Sequence, residues 1–168
     1  REYFETVRDE IARAHSSINV YMFVVSARPS EPGSKVMKLL DALVEAKSRG
    51  VEVEVHLDQN IQYGGFDSGA ADQGTEGKNR IAYEYLTARG VSVYFDSPAD
   101  YAHGKVVVID GKTTIFGSSN WSAPAFEKNS EVNAIVRSEE FASQVLKDLS
   151  TLDRITPKPT SAVRQIRV

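Results

Sequence analysis

The chain has no cysteine, which excludes disulfides, thiolate metal sites and a cysteine nucleophile. That absence is compatible with any compartment. Long apolar runs are also missing. The longest candidate, Ile18 to Val25, has strand length, far short of the roughly 18 residues a membrane-spanning helix needs, so stable membrane insertion is not expected. There is no basic surplus, because 20 Lys and Arg against 23 Asp and Glu leave a net charge of −3. This balance counts against tight non-specific binding to duplex nucleic acid, although a local positive cleft can sit in an acidic protein. Asp96, Asp100 and Asp110 do not have the spacing of a metal-binding loop. No metal and no cofactor is expected. No signal peptide is legible, but the chain opens on Arg1 and not on methionine, which fits an upstream segment having been removed. The sequence leaves the compartment open.

What is present suits one domain with one core: 168 residues, 41% of them hydrophobic. Phe4, Val7, Ile11 and Ala14 recur at helical spacing within residues 1–14. Ser17 to Ser26 is rich in β-branched and aromatic residues and reads as a buried strand. Ser34 to Arg49 reads as a helix with Val36, Leu39, Leu40, Leu43 and Ala46 on one face and Gly50 at its C-terminus, followed by a strand over Val51 to Leu57. Asn60 to Gly77, with five glycines, reads as a long loop. Lys78 to Arg89 and Val91 to Phe95 then repeat the order helix, Arg-Gly, strand. Two such units in succession imply right-handed crossovers and neighbouring parallel strands. Asp110-Gly111 joins strands over Lys105 to Ile109 and Thr113 to Phe116, a strong hairpin signal. A strand over Glu131 to Arg137 and a helix capped by Ser138, burying Phe141, Val145, Leu146 and Leu149, complete the pattern. The fold class expected is α/β, with a mixed, largely parallel sheet flanked by helices. Residues 1–150 form the domain and 151–168, with two prolines and several basic residues, a tail.

The chemistry concentrates in HGKVVVIDGKTTIFGSSN, from His103 to Asn120. On a strand, His103 and Lys105 are two residues apart and share a face. The hairpin returns the chain, so Ser118 and Asn120 approach the same end of the sheet. An imidazole, an ammonium, a hydroxyl and an amide in one place suit attack on phosphorus, with donors for the phosphate oxygens.

The fixed residues His103, Lys105, Asp110, Gly117, Ser118 and Asn120 resemble the signature motif of the phospholipase D superfamily. Six positions of that kind recur by chance on the order of once in a million chains of this size. The resemblance implies that His103 is a nucleophile forming a phosphohistidine, with Lys105 and Asn120 binding phosphate and Ser118 supporting them. Asp110, in the same motif, is expected to orient it more than to touch substrate. KNSE, from Lys128 to Glu131, resembles the acidic position that follows the motif in small nucleases of the superfamily, where the glutamate hydrogen-bonds the nucleophilic histidine. The family site needs two such motifs, whereas this chain has one, since neither His15 nor His56 is followed two residues later by lysine. Either two chains pair as a homodimer or this is half of a longer chain, and the dimer is preferred.

Three functions are open at this point. A nuclease fits the single motif and Glu131. A phospholipase D or phosphatidyl transferase acting on phospholipid headgroups uses the same chemistry, but no amphipathic anchor is apparent. A non-enzymatic dimerisation domain conflicts with an intact motif. Trp121 and Tyr101 flank the motif and suit either stacking on substrate or core packing. His56 reads as a strand-end histidine close to a possible cleft, His15 as a residue at a helix C-terminus, and Glu52 and Glu54 as a solvated strand face.

Overall fold

A computed structural model describes residues 2–58, 75–97 and 102–156. Tyr101, Asp100, residues 60–74 of the glycine-rich stretch and the tail from 157 onward lie outside the described residues. The elements run α1 (Tyr3–Arg13), β1 (Ser17–Met22), α2 (Lys35–Ser48), β2 (Glu52–Leu57), α3 (Thr75–Thr87), β3 (Ser92–Phe95), β4 (Lys105–Ile109), β5 (Thr113–Gly117), α4 (Ala123–Glu127), β6 (Asn133–Arg137) and α5 (Glu139–Leu149).

The repeated helix, Arg-Gly, strand pattern has one local cause. After α2, Gly50 adopts φ 92°. Its N–H donates to Lys47 O at 3.0 Å, and the Val51 N–H reaches back to Ala46 O at 3.1 Å. After α3, Gly90 at φ 81° donates to Thr87 O at 3.1 Å, and Val91 to Leu86 O at 3.2 Å. Both are Schellman closures, in which a left-handed residue satisfies the last carbonyls and turns the chain into a strand. At the other end of α2, the Ser34 hydroxyl accepts the Met37 N–H at 3.4 Å.

One six-stranded sheet has the order β3-β2-β1-β4-β5-β6. It is mixed and flanked by helices, as expected. Parallel pairing is confined to β1–β2 and β2–β3, while β1–β4, β4–β5 and β5–β6 are antiparallel, so parallel pairs are not the majority. The crossover helices α2 and α3 enforce the parallel half. The tight turn after β4 enforces antiparallel pairing in the other half. In that turn Asp110 and Gly111 have φ 53° and 61°, and the Lys112 N–H closes on Ile109 O at 3.0 Å. Positive φ at both central positions suits the right-handed twist of the flanking strands.

One face of the sheet carries Ile18, Val20 and Met22 of β1, Val53, Val55 and Leu57 of β2, and Val107 and Ile109 of β4. These residues join the apolar faces of α1, α2 and α3 in a single core. On the antiparallel half, α5 packs against β4, β5 and β6. It is shallower than its sequence suggests. Only Ala142 is fully buried, and Phe141, expected inside, is 37% exposed with its ring 5.7 Å from that of Phe116. No further layer of described residues covers α5. Beyond it, the chain reaches back to the opposite edge, where Ile155 and Phe95 exchange backbone hydrogen bonds of 2.8 and 2.9 Å. The first residues after position 150 therefore lie against β3.

Candidate active site

β4 runs antiparallel to β1, with Lys105 opposite Met22. The start of β4 therefore sits at the C-terminal end of the parallel strands, where open α/β sheets bind ligands. The end of β5 and the start of β6 fall at the same end. His103, Gly104, Lys105, Val106, Phe116, Gly117, Ser118 and Asn120 line an open cleft of about 420 Å³ there.

His103 is exposed at the mouth, while Lys105 is only 7% exposed. The Lys105 ammonium donates to the carbonyl oxygen of His103 at 2.6 Å and lies 3.2 Å from its Nδ1 and 3.3 Å from its Nε2. The Phe23 ring lies 4.4 Å from the imidazole, and Lys105 Nζ is 4.9 Å from the Phe23 ring centre. Burial lowers the pKa of His103 and the Lys105 charge lowers it further, while Asp58 pulls the other way. Burial also lowers the pKa of Lys105, against the pull of Glu131 and Asp58. The arrangement favours a neutral imidazole, the form that can attack phosphorus.

Two glycines make the cleft possible. A Cβ on Gly104 would overlap the Tyr21 ring, and one on Gly117 would overlap Val132 O and Asn133. Gly117 is part of the motif. Gly104, between the histidine and the lysine, carries a constraint that only its neighbour across the sheet reveals.

Glu131 is engaged by Ser118 and Asn129. Ser118 Oγ donates to Glu131 Oε2, and Asn129 Nδ2 donates to Oε1 at 3.0 Å. Among the hydrogen bonds of the described residues, none joins Glu131 to His103. Glu131 instead fixes Ser118, whose hydroxyl also accepts the Val132 N–H at 3.0 Å, and acts on Lys105 through its charge. Asn120 lines the cleft, and among the described residues its buried Oδ1 has no hydrogen-bond partner.

Asp110 belongs to the motif but not to the cleft. It stands beyond the far end of β4, five residues or roughly 17 Å from Lys105 at strand rise. There its carboxylate accepts the N–H groups of His15 (3.0 Å), Ser16 (2.8 Å) and Ser17 (3.0 Å) and the Ser16 hydroxyl (2.9 Å). Burial raises its pKa, but these four donors outweigh that effect and hold the carboxyl below its ordinary value.

The remaining candidates are now placed. Trp121 is fully buried, with Nε1 donating to Tyr3 Oη at 3.3 Å, so it packs in the core and does not stack on substrate. His56 is buried and holds Glu54 at 2.7 Å. Glu54 also pairs with Arg154 at 2.9 Å, so it is not simply solvated, while Glu52 is exposed. His15 follows α1 and engages Asp110 through its backbone. Among the described residues, no group of three or more His, Asp or Glu side chains could hold a metal ion, and no helix is long and apolar enough to cross a membrane.

Comparison with known proteins assigns this geometry to a family. The family profile described as "Cardiolipin synthase, PLD-like domain" matches residues 7–152. The chain belongs to the phospholipase D superfamily. Among solved structures, this phospholipase D-like chain is similar to Nuc from Salmonella typhimurium, a phospholipase D family member. Identity is 26%, the TM-score is 0.68, and the match covers 91% of this chain and 90% of Nuc. NucT from Helicobacter pylori shares the fold at 21% identity and a TM-score of 0.61, covering 90% and 89% of the two chains. A curated relative, "Phospholipase D" of Rickettsia bellii, is 27% identical over 142 residues, which make up 84% of this chain and 59% of the relative. The chain thus spans about three fifths of that relative's length.

Proposed function

We propose that this chain is a phosphodiesterase, most plainly an endonuclease, that works through a phosphohistidine at His103 and completes its site with a second copy of itself. The observation that carries this reading is the meeting of His103, Lys105, Ser118 and Asn120 on one cleft. The likeness to Nuc, a phospholipase D family member, over nine tenths of that chain supports a phosphodiesterase of this size and fold. The local cationic charge of Lys105 supplies what the acidic chain as a whole lacks.

Neutral His103 of one subunit attacks the phosphorus in line. A nitrogen–phosphorus bond forms as the phosphorus–oxygen bond to the leaving group breaks. Protonated His103 of the partner subunit gives its proton to the leaving oxygen. That second imidazole, now neutral, takes a proton from water as the water attacks phosphorus, the nitrogen–phosphorus bond breaks and both histidines are restored. Lys105 and Asn120 bind the equatorial oxygens, and Ser118, held by Glu131, supports them. These groups provide the charge stabilisation without a metal ion.

A second reading is a phospholipase D or phosphatidyl transferase acting on phospholipid headgroups. The profile described for cardiolipin synthase and the relatives named phospholipase D favour it.

The test is hydrolysis of bis(p-nitrophenyl) phosphate, single-stranded DNA and phosphatidylcholine in EDTA by wild type and His103→Ala, with the mass in solution measured by sedimentation. DNA cleavage by a dimer, lost in His103→Ala, is expected. Reaction with lipid alone moves the same residues to the second reading. A strictly monomeric active enzyme defeats the shared site, and complete loss of activity in EDTA defeats the metal-free chemistry.

A further inference from the structure

Asp58 directly follows β2. It is only 1% exposed, an unusual place for a carboxylate because burying a charge is costly unless the fold makes use of it. Its Oδ2 accepts the N–H of Ala102, the residue before His103, at 2.9 Å. Its backbone oxygen accepts Asn79 Nδ2 at 2.7 Å.

Asn79 of α3 is itself fully buried. Its Nδ2 also donates to Phe23 O at 2.8 Å, and its Oδ1 accepts the Val25 N–H at 2.8 Å. Phe23, whose ring lies against His103, donates its N–H to Gly104 O at 2.9 Å. Asp58 therefore reaches the nucleophile by two routes. One runs directly through Ala102. The other runs through Asn79 and Phe23 to the residue between His103 and Lys105.

We propose that Asp58 is a positioning residue for His103, whose buried carboxylate fixes the backbone one residue ahead of the nucleophile. The proposal rests on the reading of His103 as nucleophile. Among the described residues, three charged groups act on this pair: Lys105 itself from β4, Glu131 from the segment before β6, and Asp58 from the end of β2. Asp58 raises the proton affinity of both members. It thereby moderates the depression that burial and Lys105 impose on His103 and helps keep Lys105 cationic for phosphate.

The experiment compares full-length wild type, Asp58→Asn, Asp58→Glu and His103→Ala. Steady-state kinetics are measured on bis(p-nitrophenyl) phosphate, and the His103 imidazole is titrated by NMR, which reads whether or not a natural substrate is known. Asp58→Asn is expected to lower kcat roughly 10- to 100-fold with little change in KM, as a misplaced catalytic group does. It should also move the His103 titration to lower pH. Asp58→Glu keeps the charge and shifts the carboxylate, so the titration should stay near wild type while kcat still falls.

A folded Asp58→Asn protein with wild-type kcat and an unmoved titration, beside an inactive His103→Ala, overturns the positioning role alone. An active His103→Ala variant overturns the nucleophile reading and this proposal with it. If the Asp58 variants do not fold, wild type decides. The Ala102 amide proton is expected downfield and protected from exchange, and a freely exchanging Ala102 amide overturns the proposal.

Discussion

Asp110 and Ser16 are joined by two hydrogen bonds, from the Ser16 N–H at 2.8 Å and from its hydroxyl at 2.9 Å, at the end of the sheet away from His103. The aspartate of the motif thus ties the α1–β1 connection to the β4–β5 turn.

Asp110→Asn should therefore cost stability before chemistry. Losing charge-assisted acceptance of backbone amides is expected to cost about 1–2 kcal/mol, measured by urea unfolding at neutral pH. The folded-state pKa is depressed, so this stabilisation is present above the ordinary aspartate value of 3.8. It disappears as pH falls through the lower folded value. Wild type and variant should converge in stability there, and a difference that persists in acid would count against the assignment.

Gly104 predicts a steric coupling. Gly104→Ala places a methyl group in the Tyr21 ring and should destabilise the protein by about 1–3 kcal/mol while reducing kcat. Adding Tyr21→Ala opens the space and should recover part of both losses. Simple additivity of the two substitutions in a double-mutant cycle would refute the contact.

His103 must be neutral to attack, and burial together with Lys105 holds its pKa below the ordinary 6.5. The acidic limb of kcat/KM, which reports the free enzyme, is therefore expected below pH 6.5. In Lys105→Gln, which should be inactive, NMR should show the His103 titration moving upward. A downward movement would mean that the ammonium does not face the imidazole.

Glu131→Gln removes a charge that helps Lys105 keep its proton against burial. The lysine should then deprotonate at lower pH, which NMR titration of the Lys105 side chain reads directly. Activity should fall roughly tenfold at its optimum, a 1.4 kcal/mol effect on the barrier. An unmoved Lys105 titration would indicate that Glu131 serves only to hold Ser118.

Much of the fold was legible because its causes are local. Ser34 caps α2, Gly50 and Gly90 close helices into strands, and Asp110-Gly111 makes its hairpin, each within a few residues. The balance of parallel and antiparallel pairing was harder to read, because it depends on which strand β4 lands beside. α5 looked deeply buried from its apolar periodicity, yet periodicity reports which side of a helix faces inward and not how much lies above it.

The sequence by itself determined the motif, the shared face of His103 and Lys105, and the return of Ser118 and Asn120 along the hairpin, since strand periodicity and turn chemistry act at short range. Only the tertiary structure decided the partners that lie far along the chain. Asp110 is held by residues 93 to 95 positions away, Asp58 reaches Ala102 across 44, and Glu131 engages Ser118 13 residues before it. A carboxylate carries no mark of its acceptor geometry in the sequence. Its partner is whichever donor the packed sheet brings within about 3 Å.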